Sequence, residues 1–175
     1  MNGFLTAAAA LALDRVMGDP AWLPHPVVAM GRWIGALERR WNRREKPEAV
    51  RRVLGGVVVL TTLLWAGGLT LAILWLAGRV SPLLAASLNV ALTATTVAWK
   101  GLRDAGRAVH RRLREEGLEA ARREVGRYVG RDTAGLPEPE VVRAAVETVA
   151  ENLVDAVISP LFFACLLGAP GAMMY

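Results

Sequence analysis

The sequence has few of the residues that cross-link small domains or bind soft metals. Its 175 residues include one cysteine, Cys165, and two histidines, His25 and His110. A single cysteine excludes an intramolecular disulfide and a thiolate metal cluster. The chain also has no Walker-type glycine-rich loop, no zinc-ligand spacing and no Ser-His-Asp arrangement. These absences argue against a disulfide-stapled fold, a P-loop nucleotide site and a zinc centre.

Charge is missing from two long runs near the middle of the chain. Residues 54–78, "LGGVVVLTTLLWAGGLTLAILWLAG", contain no charged residue, and neither do residues 80–99. About 20 apolar residues are enough to cross a bilayer as a helix. We therefore predict two transmembrane helices, at 54–78 and 80–99, that are joined by a tight turn around Arg79.

Two shorter apolar segments, 3–17 and 156–175, are further candidate membrane segments. The second is broken by Pro160 and by "GAPGA". It therefore either crosses the membrane or re-enters it, because irregular backbone is tolerated at membrane depth where protein or water covers it. The expected fold is an all-α, multi-pass membrane protein that forms a single domain over residues 1–175.

The basic residues indicate an orientation for the two spans. Residues 32–52 hold eight Lys and Arg, residues 100–143 hold eleven, and between the two spans only Arg79 is basic. Lys and Arg collect on the cytoplasmic side of a membrane. Both basic segments, which have the pattern of amphipathic helices, are thus expected in the cytoplasm, and the protein in the inner (cytoplasmic) membrane. Topology accounts for the net charge of +5, so no nucleic acid partner is expected.

The most informative polar segment is "AAVETVAENLVDAVISP", residues 144–160. On a regular helix with Glu147 at zero, Glu151 falls at about 40°, Asp155 at about 80° and Asn152 at about 140°. Small residues fill the same arc and apolar residues the opposite one. The small residues are Ala144, Ala145 and Thr148. The helix therefore combines a packed apolar face with an acidic face that has little steric bulk.

Three interpretations of this acidic face remain open. No Lys or Arg lies between Arg143 and Tyr175, so the three acids are expected to be uncompensated, and like charges at i,i+4 repel each other. Acids that run into a membrane segment usually mark a site. The first interpretation is a Mg²⁺ site, because Mg²⁺ prefers carboxylate and phosphate oxygens. The second is a solvated acidic face. The third is a set of carboxylates that pair with arginines of the basic helices.

Other candidate residues lie in irregular segments, which often carry function on a rigid scaffold. Asp19 in "GDP" and His25 in "PHP" belong to a proline-rich stretch that cannot form regular helix. Arg131 and Asp132 in "GRDT" either form a local ion pair, or Arg131 grips a phosphate group while Asp132 caps or ligates.

Two long motif blocks resemble a known family. "ALDRVMGDPAWLPHPVVAMGRWIGALERR" and "GRDTAGLPEPEVVRAAVETVAENLVDAVISPLFFACLLGAPGAMMY" are similar to the CobD/CbiB family of cobalamin biosynthesis. This resemblance implies a multi-pass membrane enzyme, adenosylcobinamide-phosphate synthase. Such an enzyme joins the carboxylate of adenosylcobyric acid to aminopropanol or its phosphate at the expense of ATP. Family members continue beyond "GAPGAMMY", so activity of these 175 residues alone is left open.

The resemblance also implies roles for individual residues. Asp19, His25, Asp132 and Asn152 are expected to be catalytic, with His25 a candidate base for the amine. Arg32 and Arg131 are expected to bind substrate or phosphate, and Glu147, Glu151 and Asp155 to hold Mg²⁺. The expected cofactor is Mg²⁺, with ATP as substrate. The expected partners are the two organic substrates and the bilayer, and other cobalamin-pathway proteins or a second copy are open partners.

Two alternatives come from other functional classes. Related membrane proteins of the AmpE type are sensors or regulators without ligase chemistry. A membrane transport component could instead use the acidic face as an ion path. Binding of adenosylcobyric acid separates these alternatives from the ligase, because only the ligase needs it.

Overall fold

The chain folds into helices joined by short turns. The computed structural model describes residues 2–20, 25–42, 46–130 and 132–175, and this part of the chain contains no strand. In chain order the helices are α1 (Gly3–Met17), α2 (Pro26–Trp41), α3 (Glu48–Val80), α4 (Pro82–Ala94), α5 (Trp99–Glu115), α6 (Leu118–Val125), α7 (Glu138–Leu153) and α8 (Ser159–Met174). A π-helical turn, Val154–Ile158, connects α7 to α8. The predicted all-α fold is confirmed.

Three helical stretches are long and apolar enough to cross a membrane, as expected of a membrane protein. They are Glu48–Val80, Pro82–Glu115 and Glu138–Met174. The first contains the predicted span 54–78. The second bends at residues 95–98, so that α4 is a helix of 13 residues and α5 starts anew at Trp99. The third carries the acidic residues of α7 in its first half and the apolar α8 in its second.

The apolar helices form one bundle. Helix α1 packs against α4 and α8, and α3 packs against the same two helices. The bundle centre is built from small side chains, including Ala7, Ala164 and Ala172, which let helix backbones approach closely. Large apolar side chains of α3 point away from the protein, among them Leu60, Leu64, Leu71 and Trp75, each more than half exposed. This outward apolar surface suits contact with lipid chains.

Helix α8 folds back on itself at Gly168 and forms a helical hairpin. Gly168 has φ 67° and ψ −155°, a combination that is essentially restricted to glycine. After this turn the chain returns, so that the Tyr175 hydroxyl donates a hydrogen bond to Asp155 at 3.3 Å. The Tyr175 ring also stacks on Phe163, with ring centroids 5.3 Å apart. The chain therefore reverses direction within residues 159–175, and whether this segment crosses or re-enters the membrane stays a prediction.

Asn89, in the middle of α4, supports the turn of this hairpin. Its Oδ1 accepts a hydrogen bond from the Ala169 backbone N–H at 2.8 Å, and its Nδ2 donates to the Thr6 hydroxyl at 3.2 Å. The first N–H groups after a helix break have no partner within their own helix. Asn89 therefore satisfies a donor that would otherwise be exposed among apolar side chains, and it also links α4 to α1.

Helices α5, α6 and α7 form a second unit with its own apolar core. Its buried members are Val109, Ala121, Val125, Val141 and Ala144. Gly117 separates the two basic helices α5 and α6, and its φ of 86° suits a residue without a side chain. Basic residues on the outside pair with acids one turn away, as Arg112 does with Glu116 and Arg122 with Glu119. This unit places α7 at the edge of the membrane bundle.

Candidate functional site

An acidic cleft lies between α7 and the turn that follows α6. Glu147, Glu151 and Asn152 line one side of it, and Tyr128 and Gly130 line the other. Its volume is about 410 Å³. Ala144 and Thr148 form the floor, as the small residues of the acidic arc predict. The structure thus brings together three of the four polar residues that the helical wheel placed on one arc.

The charge of this cleft is partly balanced, which corrects the expectation of three uncompensated acids. Arg143 lies one turn before Glu147, and its Nε donates to a Glu147 carboxylate oxygen at 2.7 Å. Arg143 also comes within 3.9 Å of Glu140. The expectation was wrong because it considered only the repulsion between the acids. Arg143 lies four residues before Glu147, a spacing at which opposite charges pair on a helix. Among the described residues, no basic side chain pairs with Glu151.

Asp155 lies away from the acidic cleft. The π-helical turn at Val154–Ile158 advances the chain by about five residues per hydrogen-bonded turn, which changes the helical register after Leu153. Asp155 consequently lines a different cavity, where it meets Tyr175. This lateral cavity has a volume of about 580 Å³ and lies between α2, α3 and α8. A π-helical turn of this kind frequently occurs at functional sites.

His25 lines the same lateral cavity as Asp155, while Asp19 lies just behind it. The Nε2 atom of His25 is 3.5 Å from Asp19, and its Nδ1 accepts a hydrogen bond from the Val27 backbone N–H at 3.2 Å, which caps α2. A neutral imidazole with an acceptor Nδ1 carries its proton on Nε2. Both nitrogens are thus engaged, and this geometry favours a positioning role for His25 over that of a free base.

The remaining predicted residues are more scattered. Arg32 is exposed on α2 and lines neither the acidic cleft nor the lateral cavity. Asp132 is exposed, and its Oδ1 accepts the Ala134 backbone N–H at 3.0 Å, so that it caps a local turn. Arg131 lies outside the described residues. Because Gly130 lines the acidic cleft, the "GRDT" segment begins at the cleft edge.

Tyr128 was not predicted from the sequence, yet it lines the cleft. Its hydroxyl donates a hydrogen bond to a Glu124 carboxylate oxygen at 3.1 Å, and Glu124 is itself buried. Burial raises the pKa of Tyr128, and the hydrogen bond to Glu124 raises it further. The hydroxyl therefore stays protonated at neutral pH. The sequence offered one indication that Tyr128 belongs to the site, namely its position two residues before "GRDT".

Asp14 and Lys100 form a second feature that the sequence did not predict. Asp14 is buried and accepts the Lys100 backbone N–H at 3.0 Å, in the first turn of α5, where Ala98 provides no side-chain cap. The Lys100 ammonium group donates in return to the carbonyls of Val16 and Met17. Each helix therefore caps the other. The pair ties the start of α5 to the membrane bundle.

We expect Asp14→Ala to loosen this connection. Loss of an N-cap costs about 0.5–2 kcal/mol, so that the Lys100 amide should exchange its hydrogen faster and the thermal midpoint should fall. Asp14→Asn keeps an oxygen acceptor and serves as the control. Hydrogen exchange of α5, followed by mass spectrometry, measures the effect. Equal exchange in Asp14→Ala and in the unchanged protein would show that Asp14 does not cap α5.

The acidic cleft suits a metal ion only together with phosphate oxygens. Across the described residues, no group of three or more His, Cys, Asp or Glu side chains is placed to hold a metal ion. The cleft offers two carboxylates and one amide. Mg²⁺ commonly binds through one or two carboxylates plus substrate phosphates and waters. The donor set therefore fits Mg²⁺ that arrives with a nucleotide.

Comparisons with known proteins give a consistent picture. The family model described as CobD/Cbib protein matches residues 7–175. A protein of Halalkalibacterium halodurans named cobalamin biosynthesis protein CobD is 46% identical over 175 residues, which cover 98% of this chain and 52% of that protein. The CobD protein of Clostridium tetani is 41% identical, over 99% of this chain and 54% of its own length.

The cobalamin biosynthesis protein CbiB of Salmonella typhi is 42% identical, over 95% of this chain and 52% of its own length. The chain thus spans about half the length of the curated relatives it matches. No solved structure shows a significant match.

Proposed function

Because the chain belongs to the CobD/CbiB family, we propose that it contributes the phosphate-binding part of an adenosylcobinamide-phosphate synthase. This membrane enzyme of cobalamin biosynthesis forms an amide between adenosylcobyric acid and aminopropanol or its phosphate. The observation that carries the proposal is the acidic cleft, where Glu147, Glu151 and Asn152 face the turn next to "GRDT". The cleft is expected to open to the cytoplasm, since α5 and α6 are basic.

The reaction requires an activated carboxyl group. In the proposed sequence a carboxylate oxygen of adenosylcobyric acid attacks the γ-phosphorus of ATP, and ADP leaves with the bond electrons. The amine nitrogen then attacks the acyl carbon, phosphate leaves, and the nitrogen loses one proton. When bound, Mg²⁺ would neutralise charge on the transferring phosphoryl group.

The residues of the cleft have distinct proposed parts in this sequence. Glu151 is the carboxylate best placed to hold Mg²⁺ that arrives with ATP, since no described basic residue competes for it. Glu147 is held by Arg143, which fixes the orientation of its carboxylate at the edge of the cleft. Asn152 can orient a phosphate or carboxyl group as a neutral hydrogen-bond donor. Arg131 is proposed to grip phosphate and Asp132 to hold the neighbouring turn.

Release of the amine proton is assigned to the lateral cavity. His25 can accept this proton only if its Nδ1 gives up the hydrogen bond from Val27. Asp155 lines the same cavity with an exposed carboxylate and is a second candidate acceptor. The cleft and the lateral cavity are lined by nearby positions of one helical stretch, Asn152 and Asp155, so the two proposed steps would take place at neighbouring sites.

The test uses a family-length protein, in which this chain is followed by the remaining half found in its relatives. Purified in detergent, it should release ADP over many turnovers only when Mg²⁺, ATP, adenosylcobyric acid and the amine are all present. Adenosylcobyric acid should also bind measurably by its change in visible absorbance. A sensor of the AmpE type or a transport component should do neither. Failure to bind adenosylcobyric acid would overturn the proposal.

A further inference from the structure

An apolar slot continues directly from the acidic cleft. It lies between α5 and α7 and has a volume of about 290 Å³. Tyr128, Thr148 and Asn152 line both the slot and the cleft, so the two spaces meet along one edge. The slot is walled by small and apolar residues, which include Gly101, Ala105, Gly106, Ala145 and Val149.

The two connected spaces differ sharply in chemistry. The cleft presents carboxylates and an amide, which suit a metal-bound polyphosphate. The slot presents aliphatic walls and the Tyr128 ring, and Thr148 and Asn152 are the other polar side chains that line it among the described residues. A nucleotide has a similar division, with a charged phosphate chain at one end and a flat aromatic base, whose faces suit apolar contact, at the other.

We propose that this slot binds the adenine base of the ATP whose phosphates occupy the acidic cleft. The inference rests on the proposed function and adds the position of the base. Tyr128 provides an aromatic surface for stacking, which is sequence-tolerant and common in base recognition. Its neutral hydroxyl, held by Glu124, fixes the ring at the junction between the two spaces. The volume suits a single ring system and is too small for a corrin macrocycle.

The glycines of α5 keep the slot open. A Cβ added at Gly101 would meet no atom within 4 Å, whereas one added at Gly106 would lie 3.4 Å from Val149. Glycine also costs about 1 kcal/mol in a helix relative to alanine, so two glycines five residues apart weaken α5. A Cβ at Gly101, which lines the slot, is thus accommodated without a close contact, and replacing this glycine should favour the helix.

The experiment compares two probes on the family-length protein, Mg²⁺·ATP and Mg²⁺·tripolyphosphate, which has the phosphates but lacks the base. Gly101→Leu fills the slot, Gly106→Ala narrows it slightly, and Arg111→Leu on the exposed side of α5 is the matched control. Calorimetry should show that Gly101→Leu weakens ATP binding by about tenfold or more, as expected when a base loses its stacking site. Tripolyphosphate binding should change by less than about twofold, since its contacts lie in the cleft.

The outcomes separate this inference from the proposed function. Unchanged ATP affinity in Gly101→Leu would overturn the inference, and so would equal losses for both probes. A loss of affinity for adenosylcobyric acid alone would also overturn it, because the slot would then hold the adenosyl group of the corrinoid. If the unaltered protein binds neither probe, the proposed phosphate-binding role of the acidic cleft is wrong, and so is the adenine site that rests on it.

Discussion

Glu151→Gln in the family-length protein is expected to reduce Mg²⁺-dependent ATP turnover on the order of a hundredfold or more, the size of effect seen when a group that stabilises transferring charge is removed. Glutamine has nearly the same shape as glutamate, so packing and membrane insertion should be unaffected. The loss arises because Glu151 is the cleft carboxylate without a described basic partner. Turnover is measured as ADP release against Mg²⁺ concentration, and the variant should need more Mg²⁺.

Asp155→Asn provides the matched comparison, because it removes the same charge four residues later. The π-helical turn places Asp155 in the lateral cavity with Tyr175, so its loss should leave the Mg²⁺ requirement unchanged. Any effect should appear instead in the concentration of amine that is needed. Equal loss of Mg²⁺ dependence in both variants would contradict this assignment. It would show that Glu151 and Asp155 act in one metal site, which is one of the interpretations that the sequence leaves open for the acidic face.

The acidic cleft could be predicted as far as α7 is a regular helix. Glu147, Glu151 and Asn152 lie before the π-helical turn, and a spacing of 3.6 residues places them correctly. Asp155 lies inside the turn, and "VDAVI" carries no local signal for it. One hydrogen bond within the π-helical turn joins residues that are distant in sequence. The Ala98 backbone N–H donates to the Ala156 carbonyl at 2.9 Å. Such long-range hydrogen bonds cannot be seen in a local pattern.

The membrane helices also depend on long-range contacts that a local sequence pattern does not reveal. Absence of charge predicted the long apolar stretch inside α3, but composition cannot tell a spanning helix from a re-entrant one. The capping of α5 by Asp14 depends on a contact between residues 86 positions apart. A single acid in the apolar "TAAAALALDRV" was the available signal for the Asp14 contact. Its partner could not be deduced, because that partner is a backbone N–H.

Gly168→Val is expected to open the hairpin of α8. The residue has φ 67° and ψ −155°, and side-chain-bearing residues pay about 1–3 kcal/mol in such regions. The added Cβ would also lie 3.1 Å from the Asn89 Oδ1 atom, which accepts the Ala169 N–H. Displacing that amide would leave a buried donor without its partner, at a further cost of about 1–3 kcal/mol. The thermal midpoint in detergent should therefore fall clearly.

The geometry of the hairpin gives this prediction a second, independent measurement. Spin labels at Ile158 and Tyr175 should be close in the unaltered protein, because Tyr175 returns to Asp155. A continuous helix would separate these positions by about 25 Å, so the distance should increase in Gly168→Val. Gly55→Val is the control, since a Cβ there meets no atom within 4 Å. If both variants melt alike and keep the short distance, the turn does not depend on glycine at position 168.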